Sequence, residues 1–284
     1  MNSFTLNIGG SITSFSGPQV MAIVNVTPDS FYSRSRTFDN DALRRRTAEI
    51  LTAGADMVDI GAYSSRPGAA DVSEAEETDR LCRGIEIVRS EGCRLPLSAD
   101  TFRASVAENA VRAGADIVND ISGGALDADM FDTVARLNVP YILMHMRGTP
   151  ATMASLTDYV NVAADVTAEL ARGIAELHSR GVADIIVDPG FGFAKTLEQN
   201  YELFRELPEM KRLLGRPMLA GISRKSMLTR LLGIDTEDAL SATTALNAMA
   251  LDRGADIIRV HDVAAARQCV DIHNMLCHNI MPQS

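Results

Sequence analysis

Four times along this chain a glycine is followed by a short polar step ending in aspartate, then an apolar run, then a polar residue. The segments are Gly54-Ala55-Asp56-Met57-Val58-Asp59, Gly114-Ala115-Asp116-Ile117-Val118-Asn119, Gly181-Val182-Ala183-Asp184-Ile185-Ile186-Val187-Asp188 and Gly254-Ala255-Asp256-Ile257-Ile258-Arg259. Their glycines lie 60, 67 and 73 residues apart. A glycine suits the position that ends a helix, the polar step suits an αβ loop, and the apolar run suits a strand buried on both faces of a parallel sheet. Four further short apolar runs fall between or before these repeats: Ala22-Ile23-Val24-Asn25, Leu95 to Asp100, Tyr141 to His145 and Met218 to Ser223. Amphipathic stretches at roughly 40–53, 73–91, 103–113, 127–138, 158–180, 197–214, 236–252 and 263–277 follow the eight runs. Eight βα units predict a closed (β/α)8 TIM barrel, an α/β fold. An open doubly wound sheet usually stops at five or six strands and gives no reason for a polar residue at every strand end. Residues 4–17 alternate around Gly9-Gly10 and predict an N-terminal β-hairpin covering the barrel's bottom. The chain is thus expected to be one domain, 1–284, with the hairpin in 1–18 and the barrel over about 20–278.

A strand's successive side chains face opposite ways, which sorts the strand ends. Asp59 and Gly61 are expected inside, with Val58 and Ile60 against the helices. The same parity turns Ser98 with Asp100, Ile186 with Asp188, and Arg259 with His261 inward. Any one such residue is open to a purely structural ion-pair reading, but charge at nearly every strand end of one face is not required for stability. A polar ring at the C-terminal mouth is where barrel enzymes keep their chemistry.

The net charge of −10 opposes nonspecific binding to nucleic acid or anionic membrane, so an anionic substrate requires a locally basic site. Ser223-Arg224-Lys225-Ser226 and Arg259-Val260-His261-Asp262 place cations after the seventh and eighth barrel strands, the usual phosphate corner of this fold. Asp188-Pro189-Gly190-Phe191-Gly192-Phe193-Ala194-Lys195 puts a carboxylate before glycines that permit tight turns and close ligand approach. It is not a nucleotide-type phosphate loop. The segments 27–39 and 62–72 are long loops after the first two barrel strands, a length that points to functional lids. Four cysteines without a C-x-x-C pair, no apolar run of membrane-spanning length and no signal-like N-terminus lead to the expectation of a reduced, cytoplasmic setting. Cys269, His273 and Cys277 fall at i, i+4 and i+8 of one predicted helix, but without an evident fourth ligand they read as ordinary packing. His178 and His278 read as structural or surface groups, His145 stays ambiguous, and Arg44-Arg45-Arg46 reads as a solvated helix face.

The chain closely resembles the dihydropteroate synthases. The resemblance is carried, in order, by Asn25-Val26-Thr27-Pro28-Asp29-Ser30-Phe31, Ser64-Ser65-Arg66-Pro67-Gly68, Asp100-Thr101, Asn119-Asp120-Ile121, Leu143-Met144-His145-Met146, Asp188 to Phe193, Ser223 to Ser226 and Arg259 to Asp262, and covers about residues 20–275. It implies condensation of 6-hydroxymethyl-7,8-dihydropterin pyrophosphate with 4-aminobenzoate, giving 7,8-dihydropteroate and pyrophosphate with the help of Mg²⁺. It assigns the pterin to Asp188 as anchor with Asn119, Lys225, Met144 and Asp100, and the pyrophosphate to Ser65, Arg259 and His261. It also assigns the metal to Asn25 and the aminobenzoate to Phe31, Arg66, Pro67, Phe193 and Ser226. Asp100, Lys225 and Asp59 are the implied catalytic set, Asp100 acting electrostatically on the pterin methylene and Asp59 orienting the pyrophosphate group. The family pattern also implies a homodimer through the last two helices, where Ala242, Ala245, Ala248, Met249, Ala250 and Val263 to Ala266 suggest a flat surface. Three departures bear on sulfonamide and aminobenzoate affinity: Ala62-Tyr63 for the common Gly-Glu, Ser65 for Thr, and Ala194 for Gly, beside a first loop without Asp-Gly-Gly. The competing readings are a methyltetrahydrofolate-type methyltransferase, which needs no pyrophosphate site, and a pterin-binding protein without catalysis.

Overall fold

A computed structural model describes residues 3–27, 40–63 and 72–278. Strands β1 (Ser3–Ile8) and β2 (Ser11–Ser16) form the expected hairpin. Gly9 and Gly10 both take positive φ, 58° and 84°, as a two-residue turn matched to strand twist demands. The barrel strands are β3 (Gln19–Asn25), β4 (Met57–Gly61), β5 (Leu97–Asp100), β6 (Ile117–Asp120), β7 (Tyr141–Met144), β8 (Ile185–Asp188), β9 (Leu219–Ala220) and β10 (Ile257–Val260). They run parallel in the order β8-β7-β6-β5-β4-β3-β10-β9, and a parallel bridge between Val187 and Met218 joins β8 to β9 and closes the ring.

Ten α-helices occupy the described residues: α1 (Asn40–Thr52), α2 (Glu74–Ser90), α3 (Ala104–Arg112), α4 (Met130–Leu137), α5 (Val162–Ser179), α6 (Leu197–Arg205), α7 (Leu207–Leu214), α8 (Ser226–Leu232), α9 (Leu240–Asp252) and α10 (Val263–His278). Eight were expected. The stretch 197–214 splits at Glu206 because Pro208, which has no N–H to give, starts α7 rather than continuing α6. The short α8, ended by Gly233 in the left-handed region, is the second addition.

The repeat's aspartates explain its persistence. Asp56 accepts the Val20 amide at 2.7 Å, Asp116 the Leu97 amide at 2.9 Å and Asp256 the Met218 amide at 2.7 Å, each satisfying an N–H where a neighbouring strand begins at the barrel's foot. Asp184 instead accepts the Asn7 amide at 2.7 Å and pins the hairpin there. Met21, Met57, Ile117, Ile142, Ile186, Leu219 and Ile257 point inward as one apolar layer, and Leu6 and Phe15 of the hairpin pack beneath it. One pleat further along, β4, β6, β8 and β10 turn the polar Asp59, Asn119, Asp188 and Arg259 inward, as parity predicted, whereas β3 and β7 carry the apolar Ile23 and Met144 there and β9 leads to Gly221. The outward-facing residues Val20, Ala22, Val58, Ile60 and Ile258 pack against helices.

The flat surface expected on the last two helices is only partly there. Ala250, Val263 and Ala266 are buried against the barrel, because α9 and α10 turn those faces to the strands. Met249, Ile272, Met275 and Leu276 remain exposed. No helix among the described residues is long and apolar enough to cross a membrane.

Candidate active site

The polar layer begins with Asp59, fully buried near the end of β4. Arg259 reaches across from β10, donating Nε to Asp59 Oδ2 at 2.6 Å and Nη2 to Asp100 Oδ2 at 2.7 Å. Asn119 of β6 donates its amide to both Asp59 oxygens at 3.2 Å. That bond orients Asn119 with its carbonyl oxygen left to accept from a ligand. Asp59, fully buried, therefore positions Arg259 and Asn119. Burial first, and the neighbouring Asp59 carboxylate second, push the Asp100 carboxyl up to about 7.

On the other side of the mouth, Asp188 ends β8 and accepts the Gly190 amide at 2.8 Å. Burial holds its carboxyl above the usual range, opposed by the Lys225 charge. Lys225 precedes α8, donates to the Phe191 carbonyl and lies 4.6 Å from the centre of the Phe193 ring. Burial lowers the Lys225 ammonium to about 8. Gly221, one pleat above Leu219, keeps this space open: a Cβ there would stand 3.5 Å from Asp188 Oδ2 and 3.8 Å from Lys225 Nζ. Met144 is buried at the end of β7 with Ile121, Met146 and Met153, forming an apolar wall beside the carboxylate. Ser226 is exposed at the first turn of α8, directly after Lys225.

His261 follows β10, with its Nδ1 3.0 Å from Ser223 Oγ. Arg224, expected to add positive charge to this corner, does not. Its backbone takes a left-handed φ of 55°, and its guanidinium binds Asp262 through two hydrogen bonds of 2.8 and 2.9 Å and caps the Thr236 and Glu237 carbonyls. The mouth is consequently less basic than the sequence suggested: Lys195, Lys225 and Arg259 stand against Asp59, Asp100 and Asp188. Among the described residues, Arg259 Nη1 makes no hydrogen bond and is placed to meet an anion. Asn25 ends β3 partly exposed, and its side-chain amide likewise makes no hydrogen bond among the described residues. An amide oxygen is a hard donor of the kind Mg²⁺ takes alongside waters and phosphate oxygens, so the residue fits the metal. Phe31, Ser65, Arg66 and Pro67 lie outside the described residues. Tyr63, the departure hardest to place from sequence, sits edge-on to Phe102 at 5.1 Å with Arg103 near its ring, at the rim between β4 and β5.

A second layer escaped sequence reasoning. Lys195 is buried, and its three donors are all used: Gly190 O at 2.9 Å, Phe193 O at 3.0 Å and His145 Nδ1 at 3.1 Å. His145 Nε2 then faces Glu169 at 2.9 Å, and Arg147 binds the same carboxylate while lying 3.9 Å over Tyr159. The hydrogen bond from His145, together with Arg147, holds Glu169 down at about 2, while burial lowers the His145 pKa against the pull of Glu169. This chain moulds the loop from Asp188 to Lys195. Gly190 is obligatory in it, since a Cβ would lie 1.9 Å from the His145 carbonyl oxygen. Ala194 adopts a φ of 49°, the strained place where the resemblance expects glycine, and Tyr159 holds its carbonyl at 3.0 Å. Asp120 does similar work after β6, accepting from Ser122, Gly124 and Tyr141. Lys195 was visible at the end of a glycine-rich run; Glu169, midway along an ordinary amphipathic helix, carried no cue.

Known proteins resemble this chain over most of its length. The family described as pterin binding enzyme matches residues 21–261. The dihydropteroate synthase of Synechocystis is 42% identical over 260 residues, 90% of this chain and 89% of its own. Among solved structures, Xanthomonas albilineans dihydropteroate synthase with 4-aminobenzoic acid superposes with a TM-score of 0.90 at 36% identity, covering 99% of this chain and 100% of that one. The Yersinia pestis dihydropteroate synthase in a sulfonamide drug complex gives 0.89 at 36% identity, covering 96% and 99%.

Proposed function

The chain belongs to the pterin-binding enzyme family with the dihydropteroate synthases, and we propose that its barrel mouth joins 6-hydroxymethyl-7,8-dihydropterin pyrophosphate to 4-aminobenzoate in folate biosynthesis. The observation that carries the reading is the pairing of two charge systems at the same end of the barrel: Asp188 with Lys225 about Gly221, and Asp100 with Arg259. Asp188 accepts from the adjacent N–H donors of the pterin's aminopyrimidinone edge, Asn119 and Lys225 complete its hydrogen bonds, and Met144 covers a ring face. Arg259 Nη1 and His261, with Ser65, take the pyrophosphate. Asn25 would hold Mg²⁺, which supplies charge neutralisation to the leaving group when bound. Loss of pyrophosphate leaves positive charge on the pterin methylene, and Asp100 stabilises it as a carboxylate. The amine of aminobenzoate attacks that carbon as its bond to the pyrophosphate oxygen breaks, and the surplus amine proton passes to the departing pyrophosphate or to water. The aminobenzoate ring lies by Phe193, the Lys225 stem, Phe31 and Pro67, its carboxylate meets Ser226, and Arg66 closes the loop. The four cysteines are free thiols, as suits a cytoplasmic enzyme.

Labelled 4-aminobenzoate should enter product only with the pterin pyrophosphate present; no product would overturn the reading. The same assay tests Asp100. Since its carboxyl is raised to about 7 and works ionised, kcat/KM should fall as pH drops through about 7. Asp100→Asn should lower kcat about 100-fold or more, within the range of removing one electrostatic stabiliser, and abolish that acid limb. A limb that survives the substitution assigns it to another group.

The molecule is further proposed to be a homodimer through exposed Leu240, Met249, Ile272, Met275 and Leu276 of α9 and α10. Light scattering should give twice the 30.6 kDa chain mass, and a monomer refutes it.

A further inference from the structure

At the foot of the barrel, opposite the mouth, three side chains converge from two helices. Asp252 closes α9, while His273 and Cys277 stand one turn apart on α10. Asp252 Oδ1 is 3.2 Å from His273 Nδ1, Cys277 Sγ is 3.8 Å from that same nitrogen, and all three ligand atoms lie within 4.8 Å of one another. Cys269, grouped with this pair by helical spacing, is not one of them: it is buried and its thiol meets the Thr244 carbonyl at 3.5 Å.

The shared nitrogen is informative. A proton relay through histidine uses its two ring nitrogens, one toward each partner, whereas here carboxylate and thiol both face Nδ1. One proton on that nitrogen serves one of them only; a cation among the three lone pairs serves all. Metal–ligand lengths of about 2.0 Å to nitrogen and oxygen and about 2.3 Å to sulfur, at tetrahedral angles, put the ligand atoms roughly 3.3 Å apart for N and O and roughly 3.6 Å apart for N and S. The observed separations are close to both. We propose that Asp252, His273 and Cys277 form a binding site for one zinc-class divalent cation, with the fourth position left to water, that ties the C-terminal helix to α9. A thiolate and an imidazole select a borderline-soft ion and reject Mg²⁺, so this site is distinct in chemistry from the one assigned to Asn25.

Chelator-treated full-length protein titrated with Co²⁺ should develop tetrahedral ligand-field bands and a thiolate-to-cobalt charge-transfer band, saturating at one ion per chain at micromolar concentration. Zn²⁺ should displace the cobalt. Cys277→Ser should abolish the charge-transfer band, Asp252→Asn should weaken Co²⁺ binding at least tenfold, and Zn²⁺ should raise Tm in the parent protein and not in Cys277→Ser. Because the site is remote from the mouth, Cys277→Ser should keep its pterin binding and far-UV circular dichroism, which separates loss of the ion from loss of the fold. A charge-transfer band that survives Cys277→Ser, or saturation only at millimolar cation, overturns the proposal.

Discussion

Arg259→Ala is expected to cost about 3–5 kcal/mol of folding stability, the usual penalty for stripping one partner from a buried ion network. The guanidinium is the only described cation bonded to either Asp59 or Asp100, and Asp59 is fully buried with just the Asn119 amide remaining to it. Urea titration reads the effect as a shift in midpoint at unchanged slope. The penalty should shrink as the pH falls from 8 to 5. Asp100, already raised to about 7 with the arginine present, then takes a proton and ceases to be an uncompensated charge. A stability loss that is small, or that grows toward acid, removes the network from its structural role. For ligand binding, Arg259→Lys is the better variant, since it keeps the charge and gives up the fork. It should weaken the pterin pyrophosphate more than the bare hydroxymethyl pterin, and equal losses for both would contradict the phosphate assignment.

Periodicity and strand parity carried much of this layout. The repeat Gly54, Gly114, Gly181 and Gly254 located four αβ loops, all four with positive φ, because helix ends and buried parallel strands impose local demands that a short segment must meet by itself. Parity likewise placed Asp59, Asp100, Asp188 and Arg259 inside. It could not say which of them meet. Arg259 and Asp59 are 200 residues apart, and their 2.6 Å contact follows from β10 pairing with β3, which pairs with β4. Arg224 was misjudged for the same reason: a cation in a functional corner is indistinguishable in sequence from one committed to Asp262. The split of 197–214 was signalled by Pro208, while Lys195, His145 and Glu169 could be assembled only in three dimensions.

Asp188→Ala should weaken binding of the pterin by about 1.5–3 kcal/mol, the worth of hydrogen bonds to a charged acceptor, or roughly 10- to 150-fold in Kd by calorimetry. Two effects underlie it and can be separated. The alanine loses the ligand's acceptor and also the 2.8 Å bond from the Gly190 amide that holds the loop. Asp188→Asn can keep that loop bond through its remaining oxygen, but it presents an amide N–H, or a single neutral oxygen, where the ligand offers two donors. If the carboxylate is the anchor, the asparagine variant loses at least as much pterin affinity as alanine while melting closer to the parent protein. If the loop bond is what matters, asparagine restores both affinity and melting temperature. The first outcome also has an electrostatic corollary: without the Asp188 charge, Lys225, already lowered to about 8 by burial, should titrate lower still, so the alkaline loss of pterin binding should move toward neutral pH in both variants. Unchanged pterin affinity in Asp188→Asn would take the anchor from this residue and leave the mouth's recognition to Asn119 and Lys225.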